Sequence, residues 1–214
     1  MAKIEPFERY SAEYEDWFEE HPELYRWELE AIEALLPGGE GVEIGIGSGR
    51  FAHPLGITVG VEPSARMAAR AMERGLEVIP GTAEDLPLPD ESYDFALMVT
   101  TICFVDDPLR AFREIRRILK PGGFVLVAFV DRETPLGRSY LERKERSRFY
   151  APATFYSAAE ILTLLHEAGF DDCRAVQTLF GDSLEAMSGS IREGTGEGAF
   201  VVIRCQKITP PLKT

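Results

Sequence analysis

Gly45, Gly47 and Gly49 alternate within the stretch Gly41 to Phe51, and Glu43 stands just ahead of the first of them. Glycine reaches backbone conformations closed to other residues and has no Cβ, so such a loop can bring its amides close to a ligand. Glycine-rich turns are also used for purely structural reasons, and the loop alone leaves that reading open. A second acid, Glu62, follows Gly60-Val61 and precedes Pro63-Ser64. A carboxylate at the end of a strand can accept both hydroxyls of a ribose; the plainer reading is an exposed turn acid. No His/Asp pair marks a general base. His53 reads as a surface or capping residue, and Cys103 as a buried apolar one.

These residues need a frame to position them, and the chain supplies one. Residues 1–36 read as helix. Tyr10, Tyr14, Trp17 and Phe18 form an aromatic stripe at helical spacing, and Leu36-Pro37-Gly38-Gly39 is a stop signal. The stripe either packs on the domain or walls a pocket beneath a helical lid. From residue 42 onward, strand and helix patterns alternate. Strands are expected at 42–44, 58–62, 76–79, 93–99 and 124–130, and two more at 173–179 and 199–205. Ser64, Asp107-Pro108 and Ser157-Ala158-Ala159-Glu160 open helices. Glu62 follows Gly49 by thirteen residues and Pro54 interrupts the segment, so only a short helix is expected there. This alternation predicts a doubly wound α/β sheet in one domain spanning residues 1–214. Its parts are a helical cap (1–36), a binding core (40–130) and substrate-side segments with the closing strands (131–198). The glycine-rich segment Gly181 to Gly198 is either a flap or a hairpin connection, and Pro210-Pro211 starts a loose tail. In such a sheet the ligand lies at the carboxyl ends of the strands. The glycine loop, Glu62-Pro63-Ser64, the segment Gly81 to Pro87 and Thr100-Thr101 all fall there.

Composition narrows the partner. The 214 residues carry a net charge of -13, which argues against holding nucleic acid by its phosphates. No apolar run approaches the roughly 20 residues that cross a bilayer, and no signal segment opens the chain. Cys103, Cys173 and Cys205 show no pairing or metal-ligand spacing, which suits a reducing compartment and a cytoplasmic location. The absence of Asn, with only Gln177 and Gln206 as amides and a large excess of Arg over Lys, fits a heat-adapted source.

Taken in order, Glu43-x-Gly45-x-Gly47-x-Gly49, Glu62, Ala83-Glu84-Asp85-Leu86-Pro87, Ser92-Tyr93-Asp94-Phe95 and Arg117 to Gly123 resemble the class I S-adenosylmethionine-dependent methyltransferases. The match spans about residues 40–130. It looks closest to the small-molecule branch that includes the ubiquinone and menaquinone biosynthesis enzymes. The resemblance implies a seven-stranded sheet of order 3-2-1-4-5-7-6 with the last strand antiparallel. It implies that Gly45, Gly47 and Gly49 approach the methionine and ribose of the cofactor, with Glu43 part of the same motif. It implies that Glu62 holds the ribose hydroxyls, that Pro63, Met67, Ala83 and Glu84 border the adenine, and that Thr100 lines the sulfonium end.

The acceptor is then a small molecule, and its face is expected to form from Tyr10, Tyr14, Trp17, Thr101, Phe104 and the segment after the fifth strand. In that segment residues 131–150 hold six bases and four acids. They either pair with the acidic N-terminal helices and with their own acids, or offer Arg132 or Arg138 to an anionic acceptor group. Two other functions stay open on the residues alone. One is a nicotinamide-dependent reductase, although Arg50 stands where the last glycine of that fingerprint falls. The other is a cofactor-binding protein without turnover.

Overall fold

The computed structural model describes residues 3–183 and 186–208; the Pro210-Pro211 tail lies outside them. Five strands pair in parallel: β1 (Gly41–Ile44), β2 (Val59–Val61), β3 (Glu77–Ile79), β4 (Tyr93–Val99) and β5 (Leu119–Val130). Then β8 (Phe200–Lys207) runs antiparallel to β5 and to β6 (Phe170–Thr178). A two-residue strand, β7 (Arg192–Glu193), closes the edge, and the sheet order is 3-2-1-4-5-8-6-7. The expected seven strands are therefore eight. The additional one lies in the glycine-rich segment and pairs Val176 with Glu193 and Gln177 with Arg192, so this part is a hairpin. Two residues between glycines carry no strand periodicity, which is why the sequence does not announce it.

β4 explains why the middle of the sheet is mostly apolar. Alternate residues of a strand face opposite sides. Ala96 and Met98 pack into one core with Phe112, Ile115 and Ile118 of α5 (Pro108–Ile118) and Ile161 and Leu165 of α7 (Ala158–Glu167). Phe95, Leu97 and Val99 pack into the other with Ala31 and Ile32 of α3 (Pro22–Glu33). With both faces covered from Phe95 to Val99 that stretch is wholly apolar, and Asp94 at its start pairs with Lys120 at 2.9 Å. The helix starts follow their caps. Ser64 Oγ accepts from Met67 N at 3.3 Å to open α4 (Ala65–Glu73), Asp107 caps α5, and Ser157 with Glu160 forms a full capping box on α7. The short helix expected after Gly49 is absent, and residues 51–56 form turns. The N-terminal region breaks into α1 (Glu5–Arg9), α2 (Ser11–Glu20) and α3. Segment 131–150, left unassigned above, contains α6 (Pro135–Arg143).

One expectation is corrected. Cys173 and Cys205 form a disulfide across β6 and β8, and only Cys103 is free. Spacing could not show it, because the 32-residue separation becomes adjacency only through antiparallel pairing. The argument for a reducing compartment falls with it. Among the described residues no helix is long and apolar enough to cross a membrane. Closing a loop of this length is worth about 4 kcal/mol. Full reduction should lower the melting midpoint by roughly 8–16 °C, and Cys173→Ser should show the lower midpoint without reductant. A midpoint unmoved by reductant would contradict the cross-link.

Candidate functional site

A cavity of about 600 Å3 opens at the carboxyl ends of the parallel strands. One end is walled by Gly45 and Gly47 of the loop after β1, by Val61, Glu62, Pro63 and Met67 around the start of α4, and by Gly81 to Glu84. Val99, Thr100 and Thr101 form its floor behind β4. The other end is aromatic: Phe7, Tyr14, Trp17 and Phe18 from α1 and α2, Phe104, Tyr140 from α6, and Phe149 and Tyr150 beyond it.

The glycine loop holds its shape through left-handed backbone at Gly45, Gly47 and Gly49, with φ of 73°, 55° and 80°. Their surroundings differ. A Cβ on Gly45 would lie 2.4 Å from Thr101 Cγ2, and one on Gly49 2.3 Å from Leu76 Cδ1. A Cβ on Gly47 would meet only Met67 Cε, at 3.5 Å. Gly45 and Gly49 are therefore glycines for packing as well as conformation. Gly45→Ala should cost about 2–3 kcal/mol, strain plus overlap, and Gly47→Ala about 1 kcal/mol, from the backbone alone. Denaturant midpoints measure this directly, and equal losses would contradict it.

Glu62 is fixed from behind. Its Oε2 accepts from Gly47 N and its Oε1 from Ser64 N, both at 2.8 Å. Burial pushes its carboxyl up to about 7, against the pull of those two donors. A carboxylate has about four lone-pair sites, so two remain for a ligand on the cavity side. Thr100, a β-branched residue, sits at φ 47°, a strained conformation at the end of β4. Its N–H donates to Ala128 O at 2.8 Å and its carbonyl accepts from the Cys103 thiol at 3.1 Å. Burial lifts that thiol to about 12, so Cys103 stays protonated.

The helices over the cavity are fastened to its loops. Glu8 of α1 accepts from Ser64 Oγ at 2.7 Å and Arg66 N at 3.2 Å, at the N-terminus of α4. Glu15 of α2 pairs with Arg50 at 2.8 Å and Arg74 at 2.5 Å, directly behind the glycine loop. The Tyr25 hydroxyl donates to Arg50 O.

Comparison with known proteins matches this arrangement. Residues 42–127 match a family model described as a methyltransferase domain. A Thermotoga maritima structure, described as a SAM-dependent methyltransferase and possible histamine N-methyltransferase, is 56% identical. It superposes with a TM-score of 0.91 over 95% of this chain and 98% of that one. An uncharacterised Methanocaldococcus jannaschii protein is 42% identical over 94% of this chain and 98% of its own length. The chain belongs to the S-adenosylmethionine-dependent methyltransferases. S-adenosylmethionine is the cofactor of this family. A Haloferax volcanii putative methyltransferase, crystallised with the Trm112 methyltransferase activator, shares the fold at a TM-score of 0.70 and 20% identity, over 96% of this chain and 98% of that one.

The cavity of this methyltransferase gathers most of the residues singled out in the sequence. Gly45, Gly47, Glu62, Pro63, Met67, Ala83, Glu84, Thr100, Tyr14, Trp17, Thr101 and Phe104 all line it. Four others do not. Gly49 packs against Leu76 and Ala71. Glu43 is 1% exposed inside the sheet, and burial holds its carboxyl well above the usual range. Tyr10 packs on Phe149 and under Arg148. Arg132 pairs with Glu160 at 2.8 Å and Glu133 at 3.4 Å and donates to Phe155 O, so its charge is spent on α7 and its own segment. His53 is exposed.

Sequence reasoning missed Glu15 and Glu28. Both lie on the buried faces of their helices, Glu28 one turn after Leu24 and one before Ile32. An acid interrupting an apolar stripe was the available signal. Glu28 lines the cavity, is 7% exposed, and burial alone lifts its carboxyl to about 8.

Proposed function

We propose that this methyltransferase transfers the methyl of S-adenosylmethionine to a small-molecule acceptor by in-line displacement. The observation that carries this reading is the single cavity joining Glu62 and the glycine loop to an aromatic chamber under α1 and α2. The open face of Gly47, where a Cβ would touch only Met67 Cε, and the oriented carboxyl of Glu62 suit the ribose and methionine of the cofactor. In this reading Glu62 takes the ribose hydroxyls. Pro63, Met67, Ala83 and Glu84 flank the adenine, and Thr100 and the Gly45 backbone border the methionine. Glu43 and Gly49 act from outside the cavity by holding the loop in shape. Tyr14, Trp17, Thr101 and Phe104 face the acceptor.

The bound cofactor supplies a methyl already activated on a sulfonium. The chain's own part is therefore alignment and exclusion of water. The fastened helices and the ring packing of Phe7 on Phe104 at 4.9 Å serve both. The whole chain acts as one unit, with the N-terminal helices as its cap.

Calorimetric titration with S-adenosylmethionine and with NADH tests the cofactor. Mass-spectrometric detection of methylated product across an acceptor panel tests turnover. Histamine, the compound in the description of the Thermotoga maritima relative, belongs in that panel. Tight NADH binding with no S-adenosylmethionine binding would favour a reductase. Tight S-adenosylmethionine binding with no product would favour a protein without turnover.

A further inference from the structure

Glu28 stands apart from the other buried acids around the cavity. Glu15 has two arginines and Glu62 has two backbone donors. Glu28 sits on the apolar face of α3 among Leu24, Ala31 and Ile32, and lines the cavity. Its carboxyl accepts no hydrogen bond and forms no ion pair with any described residue. Removing a carboxylate from water without a partner costs several kcal/mol. No described residue offsets that cost, so the group keeps its proton until a cationic partner arrives to pair with the carboxylate.

The surroundings say what kind of partner. Glu28 lines the cavity with Tyr14, Tyr140 and Tyr150; burial raises each of these phenols, and the nearby Glu28 charge adds to the rise. Tyr140 and Tyr150 stack on each other at 5.5 Å. A carboxylate set among aromatic rings is the chemistry that holds an ammonium ion, by charge pairing and by the negative faces of the rings. We propose that Glu28 is the acceptor-binding group and that the acceptor is an amine, bound as its ammonium among Tyr14, Tyr140 and Tyr150. The proposal rests on the methyltransferase reading above.

The geometry also gives Glu28 a part in the reaction. An ammonium has no lone pair and cannot attack. Its proton passes to the Glu28 carboxylate, leaving a neutral amine and a carboxylic acid. The freed nitrogen pair then forms the N–C bond to the methyl, while the C–S bond breaks and leaves its electron pair on sulfur. The buried, apolar surroundings disfavour both charges of the carboxylate–ammonium pair relative to the neutral acid and amine, which narrows the gap that proton transfer between them must cross. Arg143 and Arg146 line the same cavity and would suit an anionic acceptor instead, and the test includes one.

The test is calorimetry on the protein saturated with S-adenosylhomocysteine, using phenethylamine and tyramine, the matched phenethyl alcohol, and 3-phenylpropionate. Amines should bind at least ten-fold more tightly than the alcohol. Glu28→Gln should remove that preference while leaving the affinity for S-adenosylhomocysteine within two-fold of wild type, which also shows that the variant is folded. Equal binding of amine and alcohol, no binding of either, a preference for the carboxylate, or an ammonium preference that survives in Glu28→Gln would each overturn the proposal alone. Failure of the wild-type protein to bind S-adenosylhomocysteine would overturn the methyltransferase reading and this one together.

Discussion

Glu62→Gln should weaken S-adenosylmethionine binding by roughly 30- to 150-fold, or about 2–3 kcal/mol. The carboxylate accepts from Gly47 N and Ser64 N at 2.8 Å each, one on each oxygen. Glutamine has a single acceptor oxygen, so one of these donors would face an NH2 group. The loop would lose an anchor at Gly47, and the ligand would lose a charged acceptor, where hydrogen bonds are about twice as strong as between neutral groups. Burial holds the carboxyl at about 7, so binding by the wild type should also tighten as the pH rises through that value and the group ionises. Calorimetry at pH 6 and pH 8 reads both effects, with circular dichroism to confirm that the variant is folded. An affinity within three-fold of wild type at pH 8 would remove Glu62 from the ribose role.

Without ligand, Glu28→Gln should make the protein more stable at pH 8 and change little at pH 5. The carboxyl is raised from 4.5 to about 8 in the folded chain. Between those values the folded state binds more protons than the unfolded state, so stability falls as pH rises across that window. At about 1.4 kcal/mol per unit the loss is on the order of 4 kcal/mol by pH 8, a gain of roughly 8–16 °C in the variant's melting midpoint. Glu62 and Glu43 are raised as well, so the variant keeps a weaker slope of the same sign. Glu15, Glu114 and Glu160 are lowered, and their contribution is lost only as the pH falls below about 4.5. The optimum of the ligand-free wild type therefore lies near pH 5. Equal midpoints for wild type and variant at pH 8 would show that Glu28 is not held in an unpaired, desolvated state. The two predictions together describe a trade: a carboxyl kept without a partner lowers stability and, on the proposed function, leaves the aromatic chamber ready for a cationic acceptor.

The division between what could be read from the chain and what could not follows the range of the interactions. Cap residues act within one turn, so Ser64, Asp107 and Ser157 located their helices. Apolar runs and glycine spacing act within one strand and its turn. They were enough to order β1 to β5 and to place Gly45, Gly47 and Glu62 at one end of the sheet. Helical spacing put Tyr14 and Trp17 on one stripe and left open whether it packs on the domain or walls a pocket; the fold placed both on the cavity.

Pairing between distant segments is a different matter, because no local period encodes it. The union of Cys173 with Cys205, the eighth strand, and the clasp of Glu15 on Arg50 and Arg74 depend on which surfaces meet after the sheet is wound. So does the fate of each charge. The sequence singled out Arg132 for the acceptor face and passed over Glu28. Tertiary packing gave Arg132 two carboxylates and left the Glu28 carboxyl with no hydrogen-bond or ion-pair partner among the described residues. By itself the sequence determined the methyltransferase frame and brought Gly45, Gly47, Glu62, Pro63 and Met67 to one end of the cavity, because those rest on contiguous motifs. Only the folded chain decided which acid would be desolvated without a partner, since desolvation is a property of everything packed around a group and not of the residues beside it in the chain.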